Sequence, residues 1–151
     1  MSAPEIINEN QRRAIASTFA FMDEMLCDLE QWAKGRESRS VLYEERNDLS
    51  AEQRRRLILE IKRLRKRLEK PRDLLRLPKT VRSAAVDIWS RCSAFQVTLM
   101  ELEGKRLAGY GELSPALERL LEKLLTHLAD GIDRLISIAR GEKAGADTRP
   151  P

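Results

Sequence analysis

The chain is poor in the residues that chemistry usually requires. It has one histidine, two cysteines and 5% aromatics. A bundle-type dinuclear metal site draws a Glu-x-x-His pair from each of two helices, and His127 is preceded three residues earlier by Leu124, so that motif is missing even once. Cysteine catalysis needs a base within reach, and one histidine permits at most one Cys-His pair. Cys92 falls at a core position and Cys27 beside one, where a small inert hydrophobe is expected. The glycines at 104, 109 and 111 match neither a phosphate-binding loop nor the dinucleotide fingerprint. These absences predict a protein that is not an enzyme and holds no metal or cofactor.

Long apolar runs are missing too. No stretch of 18 apolar residues exists, which excludes a helical membrane span. The start, MSAPEIINENQRR, has no apolar signal core, and two cysteines do not make a disulfide framework. A cytoplasmic setting is the resulting expectation.

What the chain does have is charge and helical periodicity. Charged residues make up 34% of its 151 residues, and the net charge is +4. Such a composition suits long amphipathic helices, and the length suits one domain. The most regular stretch is 115–140. There Leu117, Leu120, Leu121, Leu124, Leu125, Leu128, Ile132, Leu135, Ile136 and Ala139 recur at steps of three and four. Ser114 is a good N-cap, Pro115 suits the first helical position, and Gly141 offers a left-handed stop. This face is too wide to stay wet and calls for partner helices.

Three further helices follow from the same reasoning. Asn8 with Gln11 resembles a capping box, so the first helix spans about 9–34, with Gly35 after it. Ile15, Thr18, Phe19, Met22, Met25, Leu26, Leu29, Trp32 and Ala33 share its apolar stripe, while Asp23, Glu24, Asp28 and Glu30 form an acidic side. Ser50 with Gln53 starts the second helix, 51–70, whose seam is Leu57, Ile61, Leu64 and Leu68. Pro71 is expected to end or kink it, leaving 71–78 as a connector with one helical turn. The third helix, 79–106, rests on Val81, Ala85, Ile88, Cys92, Phe95, Leu99 and Leu102, spaced four and three apart. The first connection, 35–49, is long for a helical hairpin, and Val41, Leu42 and Tyr43 suggest that it packs over a bundle end.

The expected architecture is all-α, an antiparallel up-and-down four-helix bundle with one long first connection. A single domain would cover 1–140, with 141–151 as a disordered tail. Leu49-Ser50 recurs as Leu113-Ser114, 64 residues on, and Leu57, Ile61, Leu64 and Leu68 align at that offset with Leu121, Leu125, Leu128 and Ile132. Two similar helical hairpins would result.

Two surfaces stand out as candidate sites. Between Ala51 and Arg72 ten basic residues face three acidic ones, a local +7 against −3 for the remainder. Arg55, Arg56, Lys62, Arg63 and Lys66 fall opposite the seam and form a candidate site for a polyanion such as RNA, DNA or an anionic surface. The competing reading is a solvated face paired with the acidic side of the first helix. The second surface is apolar: Phe21, Leu59, Trp89, Val97 and Met100 lie off the main stripes and are candidates for a homodimer or partner interface. The favoured function is a non-enzymatic cytoplasmic interaction or scaffold module that self-associates, with polyanion binding as the alternative.

Overall fold

The computed structural model describes residues 6–142, and among them every regular element is helical. The order is α1 (Glu9–Ala33), α2 (Ala51–Leu74), α3 (Ala84–Leu99), a short α4 (Gly104–Leu107) and α5 (Pro115–Ala139), with single 3₁₀ turns on either side of α4. The expected all-α class holds. The chain divides into two compact units, Met1–Val81 and Arg82–Pro151. Each is an antiparallel pair of long helices.

In the first unit, α1 and α2 start on side-chain caps. Asn8 accepts from the Gln11 amide and Ser50 from the Gln53 amide, and each glutamine returns a bond to the cap residue's own N–H. Both boxes satisfy donors that the first helical turn otherwise leaves without partners. α1 ends on Gly35, whose φ of +92° is left-handed, while the Arg36 amide reaches back to the Gln31 carbonyl at 3.0 Å. Antiparallel pairing is visible at both ends: Arg12 Nε donates to the Leu75 carbonyl at 3.0 Å, and the Arg54 side chain lies against Gly35. Ala16, Leu26 and Ala33 of α1 and Ile61 of α2 form the buried core.

Two sequence expectations fail in this unit. Pro71 does not end α2, which runs on to Leu74. A proline costs the helix one donor, but the Leu75 amide still bonds to the Pro71 carbonyl at 2.9 Å. The actual stop is at Arg76, whose φ of +50° lets the Leu77 amide close back onto the Arg72 carbonyl. The first connection does fold back on itself, through an Arg39–Glu44 bridge and bonds between Ser40 and Tyr43 and between Glu45 and Ser38. Yet its apolar tip does not pack over a bundle end: Val41 is 94% exposed and Leu42 100%. Polar groups hold the loop instead. Asn47 Nδ2 donates to the Trp32 carbonyl at 2.7 Å, and the Arg36 guanidinium lies 5.1 Å from the Trp32 ring centre.

The second unit pairs α3 with α5. Gln96 donates to Asp133, and Arg140, just past the end of α5, lies 5.4 Å from the ring centre of Trp89 in the first half of α3. α5 follows its expected bounds within a residue, with the Ser114 side chain accepting from the Leu117 amide. α3 is shorter than the expected 79–106. It starts after Ser83, which caps the Val86 amide at 3.3 Å, and Val81 is left outside the helix. Its far end tightens into a 3₁₀ turn at Met100–Leu102 and breaks at Glu103, whose backbone is extended (ψ 146°) before Gly104. The expected disordered tail falls, from residue 143 on, outside the described residues.

The contact between α1 and α2 includes one charged cluster. Arg65 of α2 donates to Glu30 Oε2 at 2.7 Å and to Cys27 Sγ at 3.4 Å, and its Nε lies 3.6 Å from Asp23 Oδ1. The hydrogen bond from Arg65, helped by the charges of Arg65 and Lys34, holds the Glu30 carboxyl below its usual range against some desolvation. A carboxylate depressed in the folded state stabilises above its unfolded pKa, and that contribution is lost as pH falls through the folded value.

Two measurements check this packing. Leu26→Ala should cost about 3 kcal/mol in urea denaturation, because Leu26 is the most deeply buried large side chain. Glu30→Gln should lower the melting temperature near neutral pH and reduce the further drop seen between about pH 6 and about pH 3. An unchanged acid limb would show that Glu30 is not part of it.

Candidate interaction surfaces

The first unit carries all of the net charge. It holds 18 basic and 14 acidic residues, a balance of +4, while the second unit holds 10 of each. Within the first unit the excess lies on α2, where Leu57, Ile61, Leu64 and Leu68 turn inward and leave the opposite side to solvent. Arg55, Arg56, Lys62, Arg63 and Lys66 are all exposed there, joined by Arg67 and Lys70.

Internal pairing accounts for little of this charge. Of the acidic side of α1, Asp23 and Glu30 both engage Arg65, which sits at the edge of the α1 contact. On the outer face, Arg55 pairs with Glu52 at 2.8 Å and Arg63 with Glu60 at 3.2 Å, both one turn away along α2. Exposed pairs of this kind are weak and screened by salt. Arg56, Lys62, Lys66, Arg67 and Lys70 make no ion pair among the described residues. Leu59 lies in the middle of this face, 43% exposed.

The second unit presents an apolar surface instead. α5 turns Leu121, Leu125, Ile132 and Ile136 toward α3, and α3 answers with Trp89, Cys92, Gln96 and Leu99. The sequence pattern placed Ile88 and Phe95 in that seam, but both are exposed, because Trp89 and Gln96 take the facing positions. At about 100° per residue, Ile88 and Phe95 sit roughly a quarter turn from the α5-facing row of α3. Leu117, Leu124, Leu128 and Leu135 sit about a fifth of a turn from the α3-facing row of α5, in the same rotational sense. In antiparallel rods, equal rotation away from the partner leads to the same side of the pair. These six side chains therefore share one face, and each is between 40 and 52% exposed.

The face has a regular order along α5. Leu117, Leu124, Leu128, Gly131, Leu135 and Ile138 follow at steps of seven, four and three, the spacing of a seam that receives another helix. Gly131 interrupts it in mid-helix at a cost of about 1 kcal/mol relative to alanine. Packing within the unit does not demand a glycine: a β-carbon there would meet only the Arg134 guanidinium, at 3.7 Å. The sequence stripe merged this seam with the core-facing one, although the spacing from Leu117 to Ile138 was there to separate them.

The five off-stripe apolar residues are divided between the two units. Phe21 and Leu59 belong to the first unit, while Trp89, Val97 and Met100 belong to α3 and its 3₁₀ extension. Phe21, Leu59, Val97 and Met100 are exposed, with Phe21 at 72%. Trp89 is half-buried beneath Arg140.

Cys27 is exposed and Cys92 half-buried, both as free thiols. No group of three or more histidine, cysteine or acidic side chains has the geometry to hold a metal ion. A shallow cavity of about 380 Å³ lies between the α4 region and the first half of α5, lined by Leu102, Leu113, Leu121 and Leu125 with Glu103, Glu118 and Glu122 at its edge. Among the described residues no helix is long and apolar enough to cross a membrane. No protein-family model, no curated protein and no solved structure matches this chain.

Proposed function

We propose that the protein is a non-enzymatic helical interaction module of the cytoplasm that associates with a second copy of itself through the apolar face of the α3–α5 hairpin. The observation that carries this reading is the exposed seam on α5. Its residues follow at steps of seven, four and three beside the positions that α3 covers. Two helices hide only one stripe of each other, and a wider stripe requires further rods. Two hairpins laid face to face supply them.

The chemistry of the face suits a like partner. The second unit is electrically balanced, so two copies approach without net repulsion. Six large side chains, each about half exposed, offer on the order of 1,000 Å² across two copies, near the lower end of stable interfaces. Gly131 gives the backbone a place of close approach within this seam, which explains a residue that the isolated hairpin does not need. Unbridged cysteines fit a reducing compartment.

Light scattering after gel filtration tests this directly. The wild-type chain should run as a dimer, and Leu124→Glu with Leu128→Glu should yield a monomer that keeps its helical circular dichroism. Val86→Glu, on the other side of α3, should leave the dimer intact. A wild-type monomer at high concentration would overturn the proposal. Gly131→Ala provides an independent check: it should favour helix formation in α5 by about 1 kcal/mol and weaken the dimer at the same time.

A further inference from the structure

We propose that the outward face of α2 binds double-stranded DNA through its phosphate backbone, independently of self-association through α5. Seven cations occupy this face over the 16 residues from Arg55 to Lys70, a length of roughly 24 Å at 1.5 Å per residue. They form two rows. Arg55, Lys62 and Lys66 run along one side of Leu59, Arg56, Arg63 and Arg67 along the other, about a quarter turn away, and Lys70 lies between the rows at the end of the face. A helix with its side chains is about 10–12 Å across, and the major groove of B-form DNA is about 12 Å wide. A helix lying in that groove meets a phosphate strand on each side, which is the arrangement the two rows answer. Leu59, between them, faces the groove floor.

Other polyanions fit this face less well. A bilayer surface is bound by a helix that buries a wide apolar side among the lipids, but the apolar side of α2 is already packed on α1, and between Arg55 and Lys70 Leu59 is the one apolar residue that stays exposed. Single strands are held by aromatic side chains that stack on bases, and residues 54–72 contain none. The deep, narrow major groove of duplex RNA does not admit a helix. An acidic protein would be drawn by the same charge, but it offers no pair of parallel anionic rows to match these.

The acidic residues on and beside this face do not close it. Glu52 and Glu60 neutralise Arg55 and Arg63 in part, through exposed contacts that yield to phosphate, and Asp73 engages Arg72 beyond the last turn of the face. Glu69 sits on its margin. Five cations, Arg56, Lys62, Lys66, Arg67 and Lys70, keep no ion partner among the described residues. Contacts to phosphate alone carry no base information, so binding should be indifferent to sequence.

Fluorescence anisotropy with labelled 25-base-pair duplexes tests the proposal. The full chain should bind two duplexes of unrelated sequence equally. The logarithm of affinity should fall linearly with that of salt, with a slope of about −5 for five to seven phosphate contacts. Lys62→Gln, Lys66→Gln and Lys70→Gln together should shallow the slope by about 2.7 and weaken low-salt binding at least about tenfold. The same change at Lys105, Arg119 and Lys123 of the second unit should alter neither. All these side chains are exposed and glutamine favours helix, so melting curves should match the wild type. The proposal fails on any of four results: no duplex binding by the wild type at low salt, an unchanged slope in the α2 variant, tighter binding to phosphatidylserine vesicles, or equal binding to single-stranded DNA or to duplex RNA.

Discussion

A helix resting against one other helix can hide only one side of itself. That limit governs both halves of this protein. α2 satisfies it with a narrow seam of Leu57, Ile61, Leu64 and Leu68, flanked by half-buried Ile58, and a charged outer face. α3 and α5 do not satisfy it. The apolar residues of α5 spread over two adjacent stripes, α3 covers one, and the other stays in contact with water. The same hairpin architecture therefore gives one unit with a charged face along α2 and one with an apolar face left open along α5.

Charge is divided along the same line. The first unit holds the whole excess of +4, and the second is neutral. A cationic face repels its own copy and attracts phosphate, whereas a neutral apolar face does neither. The two surfaces thus differ in chemistry, one cationic and one apolar, and each lies on its own unit. Within the first unit, Arg65 marks the boundary between structure and surface. It is the cation at the edge of the α1 contact, held by Glu30 and Asp23, and the cations further round α2 are left to solvent.

Much of the fold was legible because helix ends are decided locally. Asn8, Ser50 and Ser114 cap the amides three residues downstream, and Gly35 and Gly141 take the left-handed conformation, as their residue types require. Pro71 was misleading for the converse reason. Its local penalty is one lost hydrogen bond, and the bond from the Leu75 amide to the Pro71 carbonyl continues α2 past it. The start of α3 is also a contest between neighbours, in which the Ser83 cap prevails over the apolar spacing that includes Val81. Val41 and Leu42 show the limit of hydropathy in a loop: the turn between Arg39 and Glu44 points its tip outward whatever the side chains there.

By itself the sequence determined that the chain is helical, where α1, α2 and α5 begin, and that α2 is basic on the side away from its seam. Those properties depend on residues within a turn or two of one another, so spacing and capping express them directly. Only the tertiary structure decided which stripe of α5 meets α3, that Trp89 and Gln96 rather than Ile88 and Phe95 face it, and that Arg65 is drawn out of the basic face to Glu30. Those outcomes depend on the rotation of one rod about its axis relative to another, a quantity that periodicity constrains to a face but that side-chain packing alone selects.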